Sequence, residues 1–225
     1  MDTAQSLTVD QVIAQLTALD AALPEADGVR VFNDMYLTVT ELVRDHLAAA
    51  YFEDAPGMAG LDAVFAARYL AAVSASADGG TPSACWRPLF ELRTRPGIAP
   101  IQYALAGMNA HIEYDLPLAV LAHCRTAGRT PAQVEADYHR INDLLAQVEG
   151  QVRRELLPEP GPLQLADPLM HVIGVWSVDR ARDAAWATVV SLWELRHVPF
   201  AAEALTTALD GSVGMVSRAL LAPLA

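Results

Sequence analysis

The stretch APIQYALAGMNAHIEYDLPLAVLAHC, residues 99–124, decides the fold, because nearly every position in it is apolar. A helix that is apolar on all sides is normally buried in a protein core or in a membrane. Burying a polar side chain without a partner costs roughly 1–3 kcal/mol, so polar groups here either bond to neighbouring helices or form a site. Before Pro117, five polar side chains interrupt the stretch: Gln102, Asn109, His111, Glu113 and Asp115.

These polar side chains fall on two faces of the predicted helix. At about 100° per residue, His111 and Asp115 share one face, and the other three lie nearly opposite. A buried His–Asp pair is either a structural ion pair or part of a site, and perturbed titratable pairs cluster at functional sites. Pro117 follows directly and lacks an N–H, so we expect the helix to kink or break there.

The composition predicts one soluble, cytoplasmic domain. The chain has 225 residues, of which 53% are hydrophobic, which is enough for one sizeable core. The net charge of −12 argues against nucleic acid or an anionic membrane surface as a partner. All 15 basic residues are arginine, which excludes lysine Schiff-base chemistry and a P-loop lysine. The polar N-terminus predicts no signal peptide, and two isolated cysteines are typical of a reducing compartment.

Helical patterning continues along the whole chain. A capping box at Thr8 predicts a first helix, and a second over 28–50 carries the apolar stripe Val31, Met35, Val39 and Leu42, continued by His46. Two further helices are expected over 61–75 and 86–92, and another begins at Thr130 and Pro131. A long helix is expected to start at Asp167 and Pro168 and to carry Trp176, Trp186 and Trp193. A last helix or helix pair is expected to be broken at Gly211.

No segment alternates over a strand length. The predicted fold class is therefore all-α, a single-domain bundle of about eight helices spanning 1–225 around the buried helix 99–124. The segment 156–168, LLPEPGPLQLADP, is the longest expected loop and is interpreted as a lid, a surface strap or a linker.

The spacing of His111 and Asp115 suits an oriented acid/base pair or two metal ligands. A second HxxxD motif, His139 and Asp143, lies opposite the core stripe of its helix, so we expect it to be exposed. Asp137 flanks that stripe and is the third catalytic candidate, with Tyr138 expected to be buried. A lone histidine on an apolar face, such as His46, is more often a core residue than a ligand. If the protein uses a metal, the expected ligands are His46, His111, Asp115 and Asp137.

Several segments of the sequence resemble an uncharacterised family of actinobacterial helical proteins, classed as a domain of unknown function. The segments are FNDMYLTVTE, CWRPLFELR, GMNAHIEYDLPLAV, DYHRINDLLAQVE and WSVDRARDAAW, so the likeness covers most of the chain. The resemblance implies no established activity. It marks these motif positions: Asn33, Trp86, Gln102, Asn109, His111, Asp115, Asp137, Asn142 and Arg182.

Together these features predict a small-molecule enzyme of secondary metabolism, with an acid/base site in a pocket of the bundle. Lyase, isomerase or cyclase chemistry is the expected class, and a metal-dependent hydrolase with a divalent metal is the first alternative. A non-catalytic helical binding or partner protein is the second. The expected partner is a small-molecule ligand, and the oligomeric state, a homodimer included, stays open. The substrate-binding candidates are Gln102, Asn109, Asn142, Arg182 and Trp86.

Overall fold

The computed structural model describes residues 7–156 and 176–223, and within these ranges the chain is helical without a strand. The predicted all-α bundle is therefore confirmed. The expected loop over 156–168 lies, apart from Leu156, outside the described residues. The helices are α1 (Val9–Ala22), α2 (Gly28–Ala48), α3 (Ala55–Ala77), α4 (Arg87–Leu92), α5 (Pro100–Ala110), α6 (Leu116–Ala127), α7 (Glu135–Leu156), α8 (Val178–Glu194) and α9 (Pro199–Leu220).

The apolar stretch forms the centre of the bundle, as predicted. Every residue of α5 from Ile101 to Ala110 is buried, between α2 on one side and α9 on the other. Between α5 and α6, residues His111–Asp115 form one π-helical turn, in which the N–H of Leu116 donates to the carbonyl of His111. This wider turn lets the chain continue past Pro117 instead of breaking there. π-helical turns inside α-helices occur frequently at functional sites.

Two glycines set the distance between α2 and α5. A Cβ atom added at Gly107 would lie 2.2 Å from the ring of Phe32, and one added at Gly28 would lie 2.3 Å from the ring of Tyr103. Neither distance is compatible with a side chain, so glycine at these positions allows the two helices to pack closely. This close packing places Phe32 beside the π-helical turn.

The buried face of α2 differs from the predicted stripe. Val31, Val39 and Leu42 are only partly buried, whereas Asn33 and Thr40 are fully buried. Both polar side chains have partners, since Asn33 Nδ2 donates to the carbonyl of Leu16 at 2.8 Å and Thr40 Oγ1 donates to a backbone carbonyl of its own helix. The predicted stripe is therefore confirmed only in part: Met35 is buried and the other apolar residues pack at the edge of the core, whereas the prediction did not place Asn33 and Thr40 there.

Several helix boundaries also differ from the prediction, including that of α3, which begins at Ala55 instead of residue 61. Thr130 caps a short 3₁₀ turn, and α7 begins only at Glu135. Trp176 precedes α8, whose N-cap is Ser177. The expected start at Asp167 and Pro168 lies outside the described ranges. The last helix is not broken at Gly211, because a glycine inside a helix costs only about 1 kcal/mol, which the packing of α9 on α5 offsets.

Among the described helices, α3 alone is long and apolar enough to cross a membrane by length and composition. Core helices of soluble proteins pass the same test. Here α3 packs against α6, α1 and α2.

Candidate functional site

An apolar cavity lies between α2, α3, the π-helical turn and α7. Its wall includes α2 from Phe32 to Val43 and α7 from Tyr138 to Val148, so it extends about 15 Å along each helix at 1.5 Å per residue. The cavity has a volume of about 80 Å³. The cavity is therefore long, narrow and mostly apolar. Its ionisable side chains are Tyr36, Asp62, His111, Tyr138 and Arg182.

His111 lies in the cavity wall and is 2% exposed. Its ring stacks on Phe65 with centroids 3.6 Å apart, and its Nδ1 lies 3.1 Å from Oδ2 of Asp115. Burial lowers the pKa of His111 in spite of the opposing effect of Asp115, so the imidazole is neutral at neutral pH. Nδ1–H then donates to the carboxylate, and Nε2 keeps its lone pair. Nε2 is buried and has no hydrogen-bond partner among the described residues.

Asp115 accepts hydrogen bonds from three side chains. Arg68 Nε lies 3.2 Å from Oδ1, and Trp86 Nε1 lies 2.9 Å from Oδ2, which also accepts from His111. The guanidinium of Arg68 compensates the carboxylate charge, and Trp86 is fully buried. Asp115 thereby fixes both the tautomer and the orientation of the His111 ring. Trp86 supports this pair rather than lining the cavity.

Two further polar atoms face the same cavity without a partner. Tyr36 Oη and Asp62 Oδ2 are buried and make no hydrogen bond to a described residue. Burial raises the pKa of Asp62 to about 7, so its carboxyl group titrates near neutral pH. Burial also raises the pKa of Tyr36, helped by the negative charges of Asp62 and Asp115, so this hydroxyl keeps its proton. Sequence reasoning missed both residues, although a carboxylate on the alanine-rich α3 was an available signal.

Arg182 is the cationic side chain in the cavity wall and is 3% exposed. Its Nε donates to Asn142 Oδ1 at 2.5 Å, and its Nη2 donates to the carbonyl of Tyr138. The guanidinium also lies over the Tyr138 ring, 4.2 Å from the centroid. Burial lowers the pKa of Arg182, the direction expected for a cation removed from water. Asn142 therefore orients Arg182.

Gln102 and Asn109, two predicted substrate-binding residues, make hydrogen bonds to the last helix and its C-terminal end, whereas Asn109 Oδ1 is buried without a partner among the described residues. Gln102 Nε2 donates to two carbonyls at the end of α9, each at 2.7 Å. Asn109 Nδ2 donates to the carbonyl of Val213 at 3.1 Å and to Ser217 Oγ at 3.0 Å. Neither amide lines this cavity, and both join helices.

Asp137 is buried as predicted, but its carboxylate accepts the backbone N–H groups of Glu53 and Asp54 at 2.9 and 2.8 Å. His46 bonds through Nδ1 to the carbonyl of Leu42 at 2.8 Å. Neither residue lines the cavity beside His111. The four predicted metal ligands are therefore not brought together. Over 7–156 and 176–223, no group of three or more His, Cys, Asp or Glu side chains could hold a metal ion.

The second HxxxD motif lies outside the cavity wall. Asp143 is exposed as predicted, whereas His139 is half-buried because its ring packs against Trp186 at 5.6 Å. Tyr138 is buried, also as predicted. The motif therefore has no place in the candidate site.

Comparison with known proteins gives one match. A family model described as "Family of unknown function (DUF5995)" matches residues 9–223. No curated protein and no solved structure matches the chain. The match covers nearly the whole chain, including every residue of the cavity wall, and it carries no activity with it.

Proposed function

The chain belongs to this family of unknown function, and from the cavity we propose that it is an acid–base enzyme acting on a small, largely apolar molecule. A single observation carries the proposal: His111 Nε2 is buried without a partner in the wall of an apolar cavity, while Nδ1 is held by Asp115. A neutral histidine oriented by a carboxylate is a common arrangement for a general base.

The unpartnered atoms support a ligand rather than a purely structural role. Leaving a buried donor or acceptor unsatisfied costs roughly 1–3 kcal/mol, so such atoms are rare in cores and each needs an explanation. Three of them, on Tyr36, Asp62 and His111, belong to side chains that line this one cavity. A ligand with matching polar groups would satisfy all three.

The protonation states assign a role to each group. His111 accepts a proton from the substrate at Nε2, and Asp115 stabilises the imidazolium that forms. Asp115 is a positioning residue, because it acts through His111. Asp62, whose pKa burial raises to about 7, donates a proton to a second position on the substrate. Tyr36 donates a hydrogen bond. Proton removal at one position and proton delivery at another is the chemistry of lyases, isomerases and cyclases.

The test is conversion of an apolar compound. The purified protein is incubated with an organic-solvent extract of the cells that produce it, and the mixture is analysed by mass spectrometry. We expect the parent protein to deplete one compound and form a product, and His111→Gln to lose this conversion by about a hundredfold or more, the usual contribution of a general base. The matched control is His197→Gln, since His197 is an exposed histidine outside the cavity wall.

Two results would contradict the proposal. If His111→Gln converts the compound as fast as the parent, His111 is not the base. If the parent retains a compound through gel filtration without changing it, the protein is a binding protein, the second alternative predicted from the sequence.

A further inference from the structure

Arg182 carries a buried positive charge, and no described residue supplies a negative charge to pair with it. Among the residues that the structure describes, no carboxylate lies within ion-pair distance of its guanidinium. Asp179 and Asp183, on the same helix, are exposed and affect it only at longer range. Buried charges in proteins are normally paired, because removing an ion from water costs several kcal/mol even after relaxation. Arg182 lacks such a partner within the described residues, and it lines the cavity.

The contacts of Arg182 orient its guanidinium and leave one edge available. Nε and Nη2 donate to neutral acceptors, Asn142 Oδ1 and the Tyr138 carbonyl, and the Tyr138 ring supports the guanidinium plane. Nη1 makes no hydrogen bond to a described residue. Neutral acceptors hold the group in place without neutralising it. This arrangement is suited to binding an anion that arrives with a ligand.

The surroundings define the charge and shape of that anion. Among the described residues, the cavity wall offers one cation, Arg182, and one carboxyl group, Asp62, and its remaining lining is mostly apolar. A doubly charged phosphate would face a single guanidinium and the field of a protein whose net charge is −12. A carboxylate needs one positive partner, and an apolar chain suits a cavity that extends about 15 Å along α2.

We propose that the ligand is an apolar carboxylic acid, bound as its carboxylate with the head group on Arg182 and the apolar body along α2 and α7 towards His111. The proposal rests on the function proposed above, because it names the substrate class of the same cavity. Arg182 contacts the head group, and His111, in the same cavity wall, carries out the proton transfer.

The test compares two probes of equal chain length, dodecanoate and dodecanol, by isothermal titration at pH 8 below their aggregation concentrations. We expect the parent to bind dodecanoate at least about tenfold more tightly, the usual effect of one charge-assisted hydrogen bond in a buried site. Arg182→Gln should remove this preference and leave the affinity for dodecanol within about twofold. Arg182→Lys keeps the charge and should keep part of the preference. Arg180→Gln, an exposed charge loss on the same helix, should bind like the parent.

The outcomes separate this inference from the proposed function. Equal affinity of the parent for both probes overturns the carboxylate assignment, as does a preference that Arg182→Gln retains. In either case the cavity still binds apolar ligands, and the proposed function stands. If neither probe binds the parent, the cavity takes no ligand of this kind, and both proposals fail. If Arg182→Gln loses its helical circular dichroism, the preference for dodecanoate is compared between the parent and Arg182→Lys instead. A smaller preference in Arg182→Lys supports the carboxylate assignment, and an unchanged preference overturns it.

Discussion

At the scale of single residues, His111 combines tight packing with an unsatisfied nitrogen. From the sequence alone, His111→Ala would leave the melting temperature nearly unchanged if the residue formed a site. The stacked contact with Phe65 changes this expectation, because alanine would leave a hole where the ring packs. Removing a large buried side chain costs about 2–5 kcal/mol, so His111→Ala should destabilise the protein whether or not the residue is catalytic.

His111→Phe separates the two roles. We expect this variant to melt within about 4 °C of the parent, because phenylalanine keeps the stacked ring and removes the unpartnered Nε2, which offsets the lost bond to Asp115. Its conversion of substrate should fall to background. Thermal unfolding followed by circular dichroism measures the first effect, with His111→Ala melting clearly lower. A His111→Phe variant as unstable as His111→Ala would show that the nitrogen bonded to Asp115 is mainly structural.

The buried carboxylate of Asp62 should destabilise the folded protein at high pH, where it is ionised. Its pKa is raised in the folded protein, so the folded state holds this proton more tightly than the unfolded state, and stability is lost as the pH rises from about 4 to about 7. A rise in pKa from 3.8 to about 7 corresponds to at most about 4 kcal/mol. Asp62→Asn should therefore raise the melting temperature, and by more at pH 8 than at pH 5. His111 is present in both the parent and Asp62→Asn, so its titration does not contribute to the difference between their melting temperatures. An equal gain at both pH values would contradict the assignment.

The residues predicted correctly are those fixed by local spacing. His111 and Asp115 meet because they are four apart on one helix. Tyr138 is buried because it belongs to an apolar stripe, and Asp137 because it flanks that stripe. Partners contributed by other helices, such as Arg68 to Asp115, follow from tertiary packing and leave no local signal. Asp137 shows the limit, since its burial was predicted while its partners, the backbone N–H groups of Glu53 and Asp54 and the guanidinium of Arg140, were not.

At the scale of helices, α2 and α5 pack closely at Gly107. Gly107→Ala should destabilise the protein by about 1–3 kcal/mol, because the added methyl group overlaps the ring of Phe32, a residue of the cavity wall. Moving Phe32 should also weaken dodecanol binding. The control is Gly211→Ala in α9, where nothing lies within 4 Å of the added atom. This second variant should gain about 0.5–1 kcal/mol from helix propensity alone. Urea unfolding of both variants measures the two opposite effects.

The π-helical turn explains why a regular spacing of about 100° per residue predicted the positions of the polar side chains only in part. Pro117 predicted a disturbance at the right place, since a residue without an N–H cannot complete the α-helical hydrogen bonds. The form of the disturbance depends on α5 and α6 both staying packed in the core, which no local pattern specifies. The turn places His111 and Asp115 where one element ends and the next begins.

At the scale of the whole molecule, the fold class followed from periodicity, because every segment repeats at a helical period and every polar interruption is short. The cavity did not follow, because it is the space left between helices whose mutual positions depend on side-chain packing. The lining residues Val39, Leu145 and Val148 are the kinds of residue that fill cores elsewhere. Their sequence pattern does not distinguish a filled core from an open one.

Ligand binding should therefore be coupled to the stability of the whole bundle. A ligand that binds only the folded state, present at a hundred times its dissociation constant, stabilises a protein by about 2.7 kcal/mol. For a domain of this size that corresponds to about 5–11 °C in melting temperature, and we expect this shift with dodecanol. Val43→Phe, which adds a ring to the cavity wall on α2, should abolish the shift, because the ring occupies the space of the ligand. Val190→Phe makes the same change at an exposed position on α8 and should keep it. If Val43→Phe shows the full shift in melting temperature, dodecanol binds elsewhere, and the cavity is not the ligand-binding site.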